Sequence, residues 1–186
     1  NTLLEYSGNC KDTDVRNRYD ALARFFRVYF YFEKIKRFGD VPWYSKPIGS
    51  ADPELKRPRD SREYVMQRMI EDIDFAILYL PTKHDLYRIT KWTALALKSR
   101  FCLFEGTFRK YHGIDTEEND WKYYLDLAAK ASEEFITNSG YGLYTTGGTQ
   151  TAYRDLFVSE DAQQLEVVLA RDYNKGLSVF HNSTFY

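Results

Sequence analysis

Paired carboxylates are what glycosidase-type hydrolysis needs, and two pairs stand close in this sequence, Asp72 with Asp74 and Glu133 with Glu134. Asp72 and Asp74 are two positions apart, so on a helix they point to different sides. Glu133 and Glu134 are neighbours on the polar side of a segment whose apolar side carries Phe135. Both pairs read as solvated helix charges, not as an acid and a base aimed at one bond. His84, His112 and His181 are scattered, without the spacing that sets two imidazoles on one metal. Cys10 and Cys102 show no metal-type spacing, and a disulfide between them is not implied. Thr146-Gly147-Gly148-Thr149 is Gly-rich but is not followed by Lys and a helix, as a phosphate loop would be. No catalytic residue, metal or cofactor is expected.

The residues that stand out are aromatic: 17% of the chain, with 16 Tyr and 13 Phe. A ring with a polar edge packs helix cores well. It also stacks on the C–H face of a pyranose. Two groups of aromatics fall in irregular segments and are the candidates for ligand contact. Trp43 and Tyr44 lie among Pro42, Pro47, Pro53 and Pro58. His181, Asn182, Phe185 and Tyr186 bring an imidazole, an amide and two rings into the tail. The blander reading is that Trp43 and Tyr44 pack their loop onto the helices, and that the tail is an edge segment lacking its partners. The formal net charge of -1 gives no global electrostatic reason to bind nucleic acid. Lys34, Lys36 and Arg37, near Glu33, read as a solvated helix face. No apolar run approaches the length of a membrane-spanning helix, and no signal peptide is visible at Asn1.

The elements that must position these residues are helices. Tyr19 to Phe38 is apolar almost all round through its middle and predicts a buried central helix. Gly39 is placed to end it, with Pro42 beyond. A long loop runs from Gly39 to Pro58, and loops of that length are usually functional or wrap the surface. Asp60-Ser61-Arg62-Glu63 reads as a capping box for a second helix along Val65, Met69, Ile73, Ala76, Ile77 and Leu80. Thr90 caps a third, Lys91 to about Tyr111, with Leu97, Phe101, Phe104 and Phe108 along one stripe. Asn119 or Asp120 opens a fourth, with Trp121, Tyr124, Ala128, Ala131 and Phe135 along one face, closed at Asn138-Ser139-Gly140. Tyr141 to Thr151 reads as loop, and Glu166 to Asp172 as a short buried strand or extended segment. Ala94, Ala96, Ala128 and Ala131 are small residues where the last two helices approach, a weak tetratricopeptide-like signal.

These motifs together carry a resemblance. Arg24-Phe25-Phe26-Arg27-Val28-Tyr29-Phe30-Tyr31-Phe32, running into Phe38-Gly39-Asp40-Val41-Pro42, resembles the R-F-x-R-A-x-Y-Y-F helix and F-G-x-V-P turn of SusD/RagB-type proteins. Arg59-Asp60-Ser61, Glu63-Tyr64, Ile70-Glu71-Asp72-Ile73 and Leu80-Pro81 follow in the family order. Arg88-Ile89-Thr90-Lys91-Trp92-Thr93-Ala94-Leu95-Ala96-Leu97 is similar to its G-R-x-T-K-x-A-A-x-A-L helix, with Tyr87 in place of Gly. Gly140-Tyr141-Gly142-Leu143, Tyr153-Arg154-Asp155-Leu156-Phe157 and Glu166-Val167-Val168-Leu169 match its G-Y-x-L, Y-x-x-L-F and E-x-I segments.

The resemblance implies a mainly α fold: tetratricopeptide-like helix pairs with irregular loops and a short strand or hairpin near the C-terminal end. Residues 1–140 would be the helical scaffold and 141–186 an irregular, ligand-facing segment. It implies non-catalytic capture of oligosaccharide at the cell outer membrane and delivery to a SusC-like TonB-dependent transporter. Family members are lipoproteins, and the lipid anchor would lie outside this section, which reads as internal to a longer chain. Missing neighbours would leave the Tyr19–Phe38 helix partly uncovered. The alternative is a tetratricopeptide-like scaffold that binds protein or peptide and no glycan.

Overall fold

Helix boundaries follow capping chemistry. The computed structural model describes residues 1–114, 119–159, 161–163, 165–171, 173 and 176. Six α-helices succeed one another: α1 Thr2–Tyr6, α2 Thr13–Phe38, α3 Arg62–Tyr79, α4 Lys91–His112, α5 Trp121–Asn138 and α6 Gly148–Val158. Asp12 opens α2 by accepting from the backbone N–H groups of Asp14 and Val15. Ser61 opens α3 through Tyr64 N–H, and Asp120 opens α5 through Tyr123 N–H. Thr90 and Thr93 form a reciprocal capping box at α4. Gly39 ends α2 with φ 67°, and Gly113 ends α4 with φ 62°, a region where L side chains are strained.

Two helix pairs make the architecture. α2 packs on α3 and α4 on α5, with α3 against α4 joining the pairs. Ala21, Phe25, Val28, Phe32 and Ile35 of α2 meet Val65, Met69, Ile73 and Ala76 of α3 and Phe101 of α4 in one core. Each large apolar side chain buried there contributes about 1.5–3 kcal/mol. A smaller core joins Trp92, Leu95 and Ala131, with Phe135, Tyr141 and Val168 packed against it. The mainly helical fold and its paired order are as expected from sequence.

Several local expectations change. α2 is not buried all round: Phe26, Tyr29 and Phe30 are about half exposed, because no described element covers that side. Asp72 is not a solvated charge but lies 3% exposed against Arg24 and Arg27. Glu63 does not return to cap α3; it turns inward to Arg109, Asn119 and Tyr124. A helix does start at Gly148, though no Lys follows the glycines. Among the described residues 166–171 no strand forms, and Ala170 N–H instead donates to Leu86 C=O at 2.8 Å. The isolated antiparallel bridge is elsewhere, between Val41 and Asp60.

Between the helix pairs runs a buried ion network. Glu105, 0% exposed, accepts from Arg62 Nη2 at 2.6 Å and from Arg109 Nε at 2.8 Å. Burial opposes the charge on Arg109, but its hydrogen bonds to Glu105 and Glu63 hold its pKa above the ordinary value. Burial also pushes the neighbouring Tyr124 phenol upward and the Cys102 thiol to about 12, which keeps that thiol unreactive.

Candidate functional site

The Pro-rich loop after α2 is held by side chains at fixed points. Asp60 accepts from Trp43 N–H at 2.7 Å and from Arg57 Nη2 at 2.9 Å, beside the Val41–Asp60 bridge. Tyr31 reaches out of α2, donates to Pro42 C=O at 3.2 Å and accepts from Tyr44 N–H at 2.7 Å. Burial holds the Tyr31 phenol above its ordinary pKa, so it remains neutral and can do both. Asn1 Nδ2 donates to Tyr44 C=O at 2.8 Å and Lys46 C=O at 3.2 Å, while its Oδ1 accepts from Arg27 Nη1 at 3.1 Å. Asp52 caps the 3-10 turn Pro53–Lys56 within the loop.

The two loop aromatics have different fates. Trp43 is 5% exposed and lies on Tyr31 with ring centroids 4.2 Å apart. The Arg27 guanidinium sits 5.1 Å from its ring centroid. The indole is thus packed into the core, the blander of the two sequence readings, with only an edge on the loop hollow. Tyr44 is half-buried, with its hydroxyl donating to Glu54 C=O at 3.0 Å. Its ring borders hollows on two sides. One, of about 300 Å³, lies within the loop and includes Asp52 and Glu54. The other, of about 670 Å³, opens along α2 past Phe26, Phe30 and Lys34. His181, Asn182, Phe185 and Tyr186 lie outside the described residues.

Exposed aromatics inside helices are not among the sequence candidates. Phe26 and Phe30 read as core in the sequence because the helix is apolar on every side, and composition alone does not say which side is covered. A second groove, of about 290 Å³, lies between the first half of α2 and the loop before α4, where Arg18, Tyr19 and Phe26 face Tyr87 and Arg88. Further along, His84 stacks on Tyr141 with centroids 4.2 Å apart, and Tyr141 on Phe135 at 5.5 Å. This stack ties the segment after α5 to the scaffold.

The acids that sequence offered for catalysis are engaged elsewhere. Asp72 is held by Arg24 and Arg27, Asp74 by Lys98 at 2.6 Å, and Glu134 by Lys91 at 2.7 Å. Glu133 is exposed. No two of these form a facing pair around a hollow. Among the described residues no group of three or more His, Cys, Asp or Glu side chains could hold a metal ion. No helix of the described residues is long and apolar enough to cross a membrane.

Comparison with known proteins places this architecture. A SusD-like family model described as "Starch-binding associating with outer membrane" matches residues 1–103. A SusD-like protein of Bacteroides ovatus is 28% identical over 153 residues, covering 82% of this chain and 26% of that protein. A crystal structure containing a xylogluco-oligosaccharide superposes with a TM-score of 0.70 at 22% identity, over 93% of this chain and 32% of that one. A SusD-like protein from Bacteroides fragilis superposes with a TM-score of 0.64 at 25% identity, over 83% of this chain and 28% of that one. The chain therefore spans about a quarter to a third of the length of these relatives. The family match covers more than half of the chain: this chain belongs to the SusD-like family.

Proposed function

We propose that this chain is part of a non-catalytic, glycan-capturing protein of the outer-membrane surface, with Tyr44 as a contact. The observation that carries this reading is the loop of residues 39–60. It is clamped at Val41, Trp43, Tyr44 and Asp60 and holds a partly open tyrosine ring between two hollows. Sugar capture needs fixed aromatic surfaces and planar hydrogen-bonding groups. Pre-organised aromatics lose little conformational freedom on binding. The presence of a xylogluco-oligosaccharide in one structural neighbour supports the same class of ligand.

In this reading, Trp43 is the support under Tyr44, not a contact itself. Residues 141–186 form the ligand-facing side, with His181, Asn182, Phe185 and Tyr186 as further contacts. The captured oligosaccharide is passed to a SusC-like TonB-dependent transporter, and a lipid anchor outside this section keeps the protein at the membrane. Isothermal titration of the full-length protein with a broad panel of oligosaccharides tests the reading. A ligand whose affinity falls at least tenfold in Tyr44→Ala supports it. Binding of no glycan in the panel would overturn it and leave the helical scaffold for proteins or peptides as the better account.

A further inference from the structure

One side chain joins the aromatic loop to the helix pair beneath it. Arg27 stands midway along α2, with its side chain 13% exposed. It lays a fork on Asp72 of α3, Nε to Oδ2 at 2.6 Å and Nη2 to Oδ1 at 2.8 Å. Two parallel bonds to one carboxylate fix the plane of a guanidinium. The rest of the group is then fixed as well. Its Cζ lies 5.1 Å from the centroid of the Trp43 ring, and Nη1 donates to Asn1 Oδ1 at 3.1 Å.

Asn1 carries the constraint onward. Its Oδ1 is taken by the guanidinium, and its Nδ2 donates to Tyr44 C=O at 2.8 Å and to Lys46 C=O at 3.2 Å. The flipped amide would set an NH₂ against the guanidinium and an oxygen against two carbonyl oxygens, so the orientation is fixed. Those carbonyls belong to the ridge between the two hollows: Tyr44, Lys46, Pro47 and Ile48 border both. The links run from Asp72 through Arg27 and Asn1 to the ridge. All of them are contacts within this chain, and none depends on what lies over the outer side of α2.

Stability is a poor explanation for such a link. Apolar side chains of similar volume often match or better a buried ion pair, and Arg24 already reaches Asp72 at 3.5 Å. What only a planar fork supplies is direction. We propose that Arg27 is a positioning residue for the Tyr44 contact. It sets the ridge backbone through Asn1 and the Trp43 ring through its own flat face. It thereby fixes the angle at which the Tyr44 ring meets a sugar. A ring held in place beforehand saves the cost of ordering it on binding. This rests on the glycan-binding reading above and adds the residue that orients its contact.

Two variants of the full-length protein test it, each alone and combined with Tyr44→Ala. Arg27→Lys keeps a charge beside Asp72 and loses the fork. Asn1→Leu keeps the bulk of the amide and loses its bonds to the ridge. The probes are xylogluco-, manno-, malto- and arabino-oligosaccharides, and the one that the parent binds most tightly is titrated calorimetrically into every variant. Each variant should weaken binding about fivefold when Tyr44 is present and under about twofold in the Tyr44→Ala background, since orienting an absent ring has no effect. Without ligand, amide exchange at Tyr44 should quicken in both variants. Equal losses with and without Tyr44 would make Arg27 and Asn1 general structural residues and overturn the inference. Unchanged affinity in Asn1→Leu would overturn it too. Either result leaves the proposed function standing, because the parent still binds. A parent that binds no probe removes the proposed function and this inference with it. Should Arg27→Lys fail to fold, Asn1→Leu, which breaks no ion pair, decides alone.

Discussion

Replacing Glu105 by Ala should destabilise the protein more than any surface charge change. Its carboxylate is 0% exposed and receives Arg62 Nε at 2.9 Å, Arg62 Nη2 at 2.6 Å and Arg109 Nε at 2.8 Å. Arg109 is itself 2% exposed. Without Glu105, Arg109 keeps Glu63 and the carbonyl of Asn119 but loses its buried carboxylate partner, and Arg62 keeps a 3.4 Å contact to Ile35 C=O. Removing one partner from a buried ion pair costs about 3–5 kcal/mol, because the other charge stays desolvated. At about 2–4 °C per kcal/mol for a unit of this size, Tm should fall by about 10 °C. Asp126→Ala provides the control: its pair with Lys130 is 58% and 70% exposed, so water and salt screen it and its loss should barely change stability. Glu105→Met/Arg109→Met should recover part of the loss, since an apolar pair leaves fewer stranded charges. Urea denaturation and thermal melting would measure all three. If Glu105→Ala lost no more stability than Asp126→Ala, the network would not be holding the helix pairs together as described.

Other outcomes follow from single contacts. A Cβ at Gly106 would stand 2.7 Å from Leu125 Cδ2 and 3.0 Å from Trp121 C=O, so Gly106→Ala should push α5 off α4 and cost about 1–3 kcal/mol by denaturant melts. Tyr124 is held protonated in the folded state by burial, with its pKa raised above 10.0. Its contribution is complete below pH 10 and is lost as pH rises further, because the unfolded chain ionises first. Alkaline denaturation should therefore be shallower in Tyr124→Phe than in the parent, and an unchanged slope would contradict this. His84→Ala removes the stack on Tyr141 and the 2.5 Å contact to Ser139 C=O. Hydrogen exchange should then quicken at residues 141–144 and 165–170 while α4 keeps its protection; unchanged protection throughout would show that the His84–Tyr141 stack does not tie this segment down.

The sequence makes the helix starts legible because capping is local: Ser61, Thr90 and Asp120 each satisfy an N–H three residues on. It also places the end of α2 at Gly39, where a positive φ is needed. α6 is harder to see, since it begins at a pair of glycines without a side-chain cap and buries only Ala152. Its exposed Tyr153 and Phe157 give no stripe to count. Tertiary partners decide the rest. Nothing local distinguishes Asp72, buried between two arginines, from Asp74 on the surface. Glu63 is correctly spaced to attract a capping interpretation, but a guanidinium from α4 takes it. Of the candidate ligand contacts, Trp43 goes to the core because Tyr31 offers it a ring, while its neighbour Tyr44 stays half open. Phe26 and Phe30 of α2 are visible as composition, and only the packing of α3 and α4 on the opposite side shows that they face away from the core.

The anchoring of the loop after α2 has an evolutionary consequence. Its two ends meet at Val41 and Asp60, and Asn1 and Tyr31 hold the first turn. The stretch around Gly49 to Ala51 is exposed and carries none of those attachments. Lengthening an already closed loop costs little, about 0.6 kcal/mol for each doubling. Insertions and replacements there can reshape the hollow beside Tyr44 without disturbing a single helix contact. Under the proposed glycan-capturing role, one frame changes what it recognises by exchanging a cassette a few residues long.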